Sequence, residues 1–150
     1  MINKNLLRLP ILAAALAIAS MAVAGDSPQK ERHELMEGVL KGAKVVGPML
    51  KGEAEYDNAA AMKALTNWQS AAARFGDLFP EGSDTGEDTE AAPAIWEDRA
   101  GFDAALVAWS EAIDAAIAAN PATLDDAKPV IGPVFGKCKD CHDGYRIEEE

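Results

Sequence analysis

The fold is decided by residues 95–121, which have the sequence IWEDRAGFDAALVAWSEAIDAAIAANP. Large apolar side chains recur in this stretch at intervals that place them on one face of an α-helix. They are Ile95, Phe102, Leu106, Trp109, Ile113 and Ile117. Pro93 or a neighbouring residue is expected to open this helix, and Asn120-Pro121 to end it. We predict a long amphipathic helix here, the third of the chain.

Helix one is predicted to begin at Ser27-Pro28, because a serine oxygen can cap a first turn and proline fits within it. Lys51-Gly52 is expected to end it, and Gly47-Pro48 to bend it. Its apolar side chains again recur every three or four residues. They are Met36, Val39, Ala43, Val46 and Leu50.

Helix two is predicted to be capped by Asp57 and ended by Pro80. Its apolar stripe consists of Leu65, Trp68, Ala72, Phe75 and Phe79. Residues 80–93, rich in Gly, Asp, Glu and Thr, are expected to form a loop that is long for a helical bundle.

Helix four is predicted to start at Thr123, with Asp126 as its capping partner. Pro129 and Pro133 are expected to disturb its first turns, so that its regular part begins near Pro133. Alanine is abundant and hairpin signals are absent from the sequence, so we predict an all-α fold, an antiparallel four-helix bundle.

The N-terminus has the pattern of a secretory signal peptide. Lys4 and Arg8 precede a continuous apolar run over residues 11–19, and Ala22-Val23-Ala24 offers small residues for cleavage. The run is too short for a comfortable membrane span. We therefore expect residues 1–24 to be removed in export to a bacterial periplasm. The mature protein would then be a single domain, residues 25–150, beginning at Gly25.

The charge of the mature chain argues against a nucleic-acid partner. Two of the 14 basic residues lie in the leader, so 12 remain against 25 acidic residues, a net charge of −13. Phosphate backbones are bound by basic surfaces. An acidic surface instead favours solubility and attraction to basic partners.

The motif that carries chemistry is Cys138-Lys139-Asp140-Cys141-His142. Two thiols three residues apart project from roughly one face of a helical turn, which suits thioether bonds to the two vinyl groups of one haem. The imidazole of His142 can then reach the haem iron. The motif thus predicts one covalent haem c inside the helical bundle.

The two cysteines allow three other interpretations. A thioredoxin-like motif is expected near a βαβ unit, which the sequence does not predict. A zinc site needs two further ligands, and only His33 remains as a second histidine. A disulfide at this short spacing would stabilise little. His33 itself is expected to be an exposed helix residue.

The chain resembles the cytochrome c′ family and its low-spin relatives over residues 28–146. The resemblance rests on residues 138–146 (CKDCHDGYR), on Lys51-Gly52-Glu53 with Tyr56-Asp57, on residues 79–83 (FPEGS), and on Ile95-Trp96 with Phe102. The family has a four-helix-bundle fold and carries its haem near the C-terminus. The resemblance implies thioethers at Cys138 and Cys141 and the proximal iron ligand at His142.

Three further site residues follow from the resemblance. An arginine at the position of Arg32 contacts a haem propionate, and charge pairing favours this. Arg146 would lie on the proximal side of the haem, and Met36 over its distal face. In the low-spin relatives a methionine at this place binds iron as a sixth ligand, whereas many cytochromes c′ leave the iron five-coordinate and open to gases.

Two functions follow from these alternatives, and neither is enzymatic. The first is electron transfer through a His142/Met36 haem, with a periplasmic or membrane protein as the redox partner. The second is a high-spin protein that binds nitric oxide or carbon monoxide, with Met36 acting only in packing. Homodimers are common in the resembling family, which makes a second copy of the chain a candidate partner.

Overall fold

The computed structural model of the protein describes residues 26–86 and 89–147. Within these ranges the backbone forms five α-helices and one 3-10 turn, at Gly76–Leu78. The helices are α1 Pro28–Lys51, α2 Asn58–Phe75, α3 Ala94–Glu97, α4 Arg99–Ala119 and α5 Leu124–Tyr145. The predicted leader and the predicted start at Gly25 lie outside the described residues.

The predicted helix ends are largely confirmed by their capping geometry. The side chains of Ser27, Asp57 and Thr123 each accept a hydrogen bond from the backbone N–H three residues later. Gly52 and Asn120 end α1 and α4 in the left-handed conformation, with φ of 75° and 41°. α1 continues through Gly47-Pro48, and the bend there stays a prediction.

The end predicted for helix two is wrong. α2 stops at Phe75, five residues before Pro80, and the 3-10 turn follows it. The Arg99 guanidinium stabilises this earlier end by donating to Gly76 O at 2.9 Å and to Phe79 O at 3.3 Å. Phe79 therefore leaves the stripe of α2 and packs elsewhere.

Helix three was predicted as one element and is two, α3 and α4, separated at Asp98. The Asp98 carboxylate accepts a hydrogen bond from Gly101 N at 3.1 Å, so it caps a new helix instead of continuing the old one. Ile95 on α3 is consequently not part of the α4 stripe.

The expectation that helix four becomes regular only near Pro133 is also wrong, because α5 is continuous from Leu124. Pro129 and Pro133 each lack an N–H, which removes two hydrogen bonds from the helix. Both prolines are exposed and lie four residues apart on one face. The carbonyls that they leave free can therefore be hydrated.

The long helices form a four-helix bundle in which α1 packs chiefly on α2, α4 chiefly on α5, and α2 against α4. Its principal core, called the main core below, comprises Val46, Ala61, Ala64, Leu65, Trp68, Ala71, Trp109, Ile113, Ala116, Ala127, Ile131 and Val134. No helix among the described residues is both long and apolar enough to cross a membrane.

A second cluster lies where α3, the start of α4 and the end of α5 meet. Phe79, Ile95 and Phe102 are buried in it, and Phe75, Leu78, Ala91, Trp96, Leu106 and Tyr145 pack around them. We call this set the aromatic cluster. It joins the loop after α2 to the C-terminal turn of α5, the turn that follows the cysteine motif.

Candidate haem site

The two cysteines lie on α5 in its last three turns, and both side chains are half-buried. Cys138 packs against the main core, and its thiol donates to Val134 O at 3.4 Å. His142 follows Cys141 directly and is exposed. The two thiols are not joined in a disulfide. One helical turn thus presents two thiols and an imidazole, as the sequence predicted.

The environment of the thiols disfavours thiol–disulfide chemistry. Burial raises the pKa of Cys138, and burial together with the neighbouring Cys138 raises the pKa of Cys141 to about 11. A catalytic cysteine of that class needs a lowered pKa, because the thiolate is the nucleophile. Both thiols therefore stay protonated at neutral pH, which argues against this interpretation.

The zinc interpretation also lacks support from the structure. Among the described residues, no group of three or more His, Cys, Asp and Glu side chains is arranged to hold a metal ion. His33, the only other histidine, is exposed and lies 3.7 Å from the Glu37 carboxylate on the same helix. The prediction that His33 is an exposed helix residue is confirmed.

The surroundings of His142 favour the neutral imidazole that a metal ligand requires. Partial burial lowers its pKa, and the charge of Arg146 lowers it further, while Glu90 and Asp143 act in the opposite sense. A lowered pKa keeps the imidazole neutral, with a nitrogen lone pair available to a metal. The electrostatics of this turn therefore fit His142 as an iron ligand.

Trp109 gives an independent test of whether these residues fit a haem. This side chain on α4 is 6% exposed, and its indole Nε1 is buried without a hydrogen-bond partner among the described residues. It lies beside Cys138, whose pKa it acts to lower. Buried N–H groups are rarely left unpaired. The indole N–H thus faces the Cys138 thiol without a full hydrogen bond, which fits a site that is completed when a further group is attached at this sulfur.

Met36, the predicted distal residue, is on α1 and half-buried. Its side chain packs against the main core, as does that of Cys138. Cys138 and Met36 therefore border the same core from two different helices. Whether the sulfur of Met36 binds iron stays a prediction.

Arg32 lies one turn before Met36 and is 6% exposed. Its guanidinium donates to Ser83 O at 2.8 Å and to Ser83 Oγ at 3.1 Å. It also donates to Leu78 O at 3.1 Å and to Thr89 Oγ1 at 3.0 Å. These four bonds tie α1 to the loop that follows α2. The predicted propionate contact stays a prediction.

Arg146 lies just after α5, exposed, and its Nε is 2.6 Å from the Glu90 carboxylate. Its backbone N–H donates to His142 O at 3.2 Å, so this side chain is one turn from the imidazole. No pattern in the sequence points to Glu90, because a carboxylate in an acidic loop is ordinary. Ser83 and Thr89, the partners of Arg32, were missed for the same reason.

Comparisons with known proteins converge on one family. The family model described as Cytochrome C′ matches residues 27–146. Cytochrome c′ of Rhodopseudomonas palustris is 36% identical over 146 residues, which cover 95% of this chain and 98% of that protein. A solved structure of cytochrome c′ from R. palustris has a TM-score of 0.80 and 34% identity, and covers 84% of this chain and 100% of that one.

Two other relatives bear on the function. Cytochrome c-556 of R. palustris is 29% identical over 149 residues, covering 96% of this chain and 99% of that protein. A nitric oxide complex of a cytochrome c prime variant from Alcaligenes xylosoxidans has a TM-score of 0.70 and 29% identity. It covers 81% of this chain and 98% of that chain.

Proposed function

The chain belongs to the cytochrome c′ family, and on that premise we propose that it is a periplasmic electron-transfer protein with one haem bonded to Cys138 and Cys141. Proteins of this family are haem proteins that bind a covalent haem c with its iron, and are not typical enzymes. The observation that carries the proposal is the last part of α5, which brings two unbridged thiols and an imidazole together.

Each residue of this turn has a distinct role in the proposal. Cys138 and Cys141 would hold the haem through two thioether bonds, one to each vinyl group. His142 supplies the proximal nitrogen to iron. When bound, the haem supplies the ferric–ferrous couple. The main core excludes water from the inner side of Cys138.

We assign the sixth position to the sulfur of Met36. Methionine is unbranched and flexible, so a half-buried side chain on α1 can adapt to a haem carried by α5. A thioether also stabilises ferrous iron over ferric iron and raises the reduction potential. His142 and Met36 together would give a fixed coordination shell, which suits a protein that only passes electrons.

The location and partner follow from the sequence. The pattern of residues 1–24 supports export to the periplasm. The acidic surface, with many exposed carboxylates, supports a periplasmic or membrane redox partner whose docking face is basic. The same charge argues against nucleic acid.

Binding of nitric oxide or carbon monoxide at an open distal side is the second candidate function. It is favoured by the nitric oxide complex of the A. xylosoxidans cytochrome c prime variant, which is similar to this chain over 98% of that chain's length. In this alternative Met36 is a packing residue and the iron is five-coordinate. Both functions share the same cysteines and the same proximal histidine.

The experiment that separates these functions is a visible absorption spectrum of the holoprotein in both oxidation states, with Met36→Leu beside the wild type. We expect a low-spin wild type with a sulfur-to-iron charge-transfer band that Met36→Leu loses. Leucine preserves the side-chain volume, so packing changes little. Met49→Leu is the matched control, because Met49 lies on the same helix about 20 Å away at 1.5 Å per residue.

Two results would contradict the proposal. A high-spin wild type that lacks the charge-transfer band and takes up carbon monoxide at once would make gas binding the function. An unmodified polypeptide mass, from cells able to mature c-type cytochromes, would remove the covalent haem from both candidate functions.

A further inference from the structure

Residues 89–92, which we call the strap, are bonded to the C-terminal end of α5. Ala91 forms an antiparallel bridge with Arg146. Ala92 N donates to Tyr145 O at 3.1 Å, and Ile147 N donates to Glu90 O at 2.8 Å. The Glu90 carboxylate adds an ion pair with Arg146 at 2.6 Å. The strap thus holds the backbone and side chain of the residue one turn after His142.

The same strap is bonded to α1 through Thr89. The Thr89 hydroxyl accepts from the buried Arg32 guanidinium at 3.0 Å and from Ala91 N at 3.3 Å. The flat face of that guanidinium lies 4.6 Å from the centre of the Phe79 ring. Arginine holds several acceptors at once in a fixed planar geometry. Thr89 is therefore fixed to α1. Met36 lies on the same helix, one turn after Arg32.

We propose that the strap couples the two sides of the haem site, and that Thr89 and Glu90 are positioning residues for His142. This inference rests on the proposed function, in which His142 is the proximal iron ligand. Arg32 fixes the strap from α1, and the strap fixes Arg146, whose N–H is bonded to His142 O. A change at the Arg32 end should therefore move the His142 ring without touching it.

Electrostatics agree with this placement. The hydrogen bond from Arg146 lowers the pKa of Glu90 most, and the charge of Arg146 lowers it further. The Glu90 carboxylate is thus a negative charge that is paired with the residue one turn after His142. Removing that negative charge should favour ferrous over ferric iron, because ferric haem carries one more positive charge.

The test uses Thr89→Val, which changes no charge and keeps the shape of the side chain. The readout is the set of hyperfine-shifted His142 proton signals in the NMR spectrum of the ferric holoprotein. It is measured in Thr89→Val, in Glu90→Gln and in the double variant. We expect Thr89→Val and Glu90→Gln to move these signals in one direction. The double variant should move them no further than Glu90→Gln alone, because both changes release one strap.

The reduction potential gives a second readout. Glu90→Gln should shift the ferric–ferrous equilibrium about threefold toward ferrous, or ~28 mV at 59 mV per tenfold change. Thr89→Val should shift it less, since no charge is removed. Asp143→Asn is the charge control, because Asp143 is adjacent to His142 but pairs with Lys139 on α5. In the Asp143→Asn background, Thr89→Val should move the His142 signals as far as it does in the wild-type background.

Thr85→Val, the same substitution at an exposed position of the same loop, should leave the His142 signals in place. The coupling is overturned if folded Thr89→Val protein keeps the wild-type His142 signals. It is also overturned if the signal shift in the double variant equals the sum of the shifts in Thr89→Val and Glu90→Gln. Should Thr89→Val not fold, Thr89→Ala decides in the same way, because alanine also removes the hydroxyl that accepts from Arg32 and from Ala91 N. Failure of the proposed function is distinguishable, since the wild type itself would then lack a covalent haem or a reversible ferric–ferrous cycle.

Discussion

The main core and the aromatic cluster are built in different ways. The main core consists mostly of small and aliphatic side chains on the long helices, with Leu65, Ile113 and Ile131 fully buried, and it includes the indoles of Trp68 and Trp109. The aromatic cluster joins helix ends and loops, and its rings meet edge to face, with Phe79 and Phe102 centred 4.8 Å apart. It also borders a buried guanidinium.

This difference separates what holds the bundle from what holds the site. Helix-to-helix packing in the main core fixes the axes of α1, α2, α4 and α5. The aromatic cluster fixes irregular segments around the last turn of α5, where Tyr145 packs against Phe102 at 5.3 Å. We infer that damage to the main core away from Cys138 and Met36 costs mainly stability, whereas damage to the aromatic cluster also reaches the turn of α5 that carries His142.

The sharpest test of this difference is Phe102→Ala. Phe102 is 1% exposed and contacts both Phe79 and Tyr145 edge to face. We expect the free energy of unfolding to fall by about 3–5 kcal/mol, the usual cost of truncating a buried phenylalanine. The absorption spectrum of the folded variant should also shift, because Tyr145 follows His142 by less than one turn. Denaturant unfolding and visible spectra measure the two effects.

Leu65→Ala is the matched change in the main core, where Leu65 is 0% exposed. It should cost a comparable amount, about 2–5 kcal/mol, and leave the spectrum of the folded protein unchanged. Equal spectral shifts in both variants would show that the two regions do not differ in their connection to the haem.

The second prediction concerns Gly42→Ala, at the place where α1 lies against Trp68 and Ala64 of α2. A Cβ at Gly42 would lie 2.7 Å from Trp68 Nε1 and 3.2 Å from Ala64 Cβ. Trp68 Nε1 already donates to Val39 O at 3.0 Å, so the indole has little freedom to move. We expect a loss of about 1–3 kcal/mol in the free energy of unfolding, typical of an overfilled core.

Gly38→Ala is the control for this prediction, because a Cβ there meets no atom within 4 Å. In an open helical position alanine should stabilise by about 0.5–1 kcal/mol over glycine. Opposite signs for two identical substitutions four residues apart would locate the tight α1–α2 contact. A stabilising Gly42→Ala would mean that the helices can separate at little cost.

The sequence predicted part of the main core, namely Val46, Leu65, Trp68, Trp109 and Ile113, because their spacing is periodic and local. It predicted no apolar stripe for α5. The caps at Ser27, Asp57 and Thr123 and the left-handed ends at Gly52 and Asn120 are likewise decided within four residues of chain. The cysteine motif could be identified for the same reason, since its spacing is contained in a single turn.

The aromatic cluster was predicted poorly because its contacts are long-range. Phe79 was assigned to the stripe of helix two, although Arg99, 20 residues later, ends that helix by binding freed carbonyls. The acceptors of Arg32 lie 46 to 57 residues away in the sequence, and Glu90 and Arg146 are 56 residues apart. No periodicity connects such pairs, so the strap could be found only in the structure.

The smallest expected effect is the contribution of Glu90, beside the aromatic cluster, to the free energy of unfolding. This contribution depends on pH. The Arg146 hydrogen bond lowers the pKa of Glu90 below its ordinary value of 4.5, so the folded state favours the carboxylate. This contribution is fully present above pH 4.5 and is lost as the pH falls through the lower pKa of the folded protein. Because the Glu90 side chain is 46% exposed, we expect at most about 1 kcal/mol.

The measurement is urea unfolding of the wild type and Glu90→Gln across an acid pH series. The difference between the two proteins should be largest near neutral pH and should vanish at low pH, where the wild-type carboxylate is also neutral. Other carboxylates titrate alike in both proteins and cancel. High salt should shrink the neutral-pH difference, because an exposed ion pair is screened. A deficit that is the same at every pH would instead mean that Glu90 acts through shape, and the ion pair would then add nothing to how the aromatic cluster holds the end of α5.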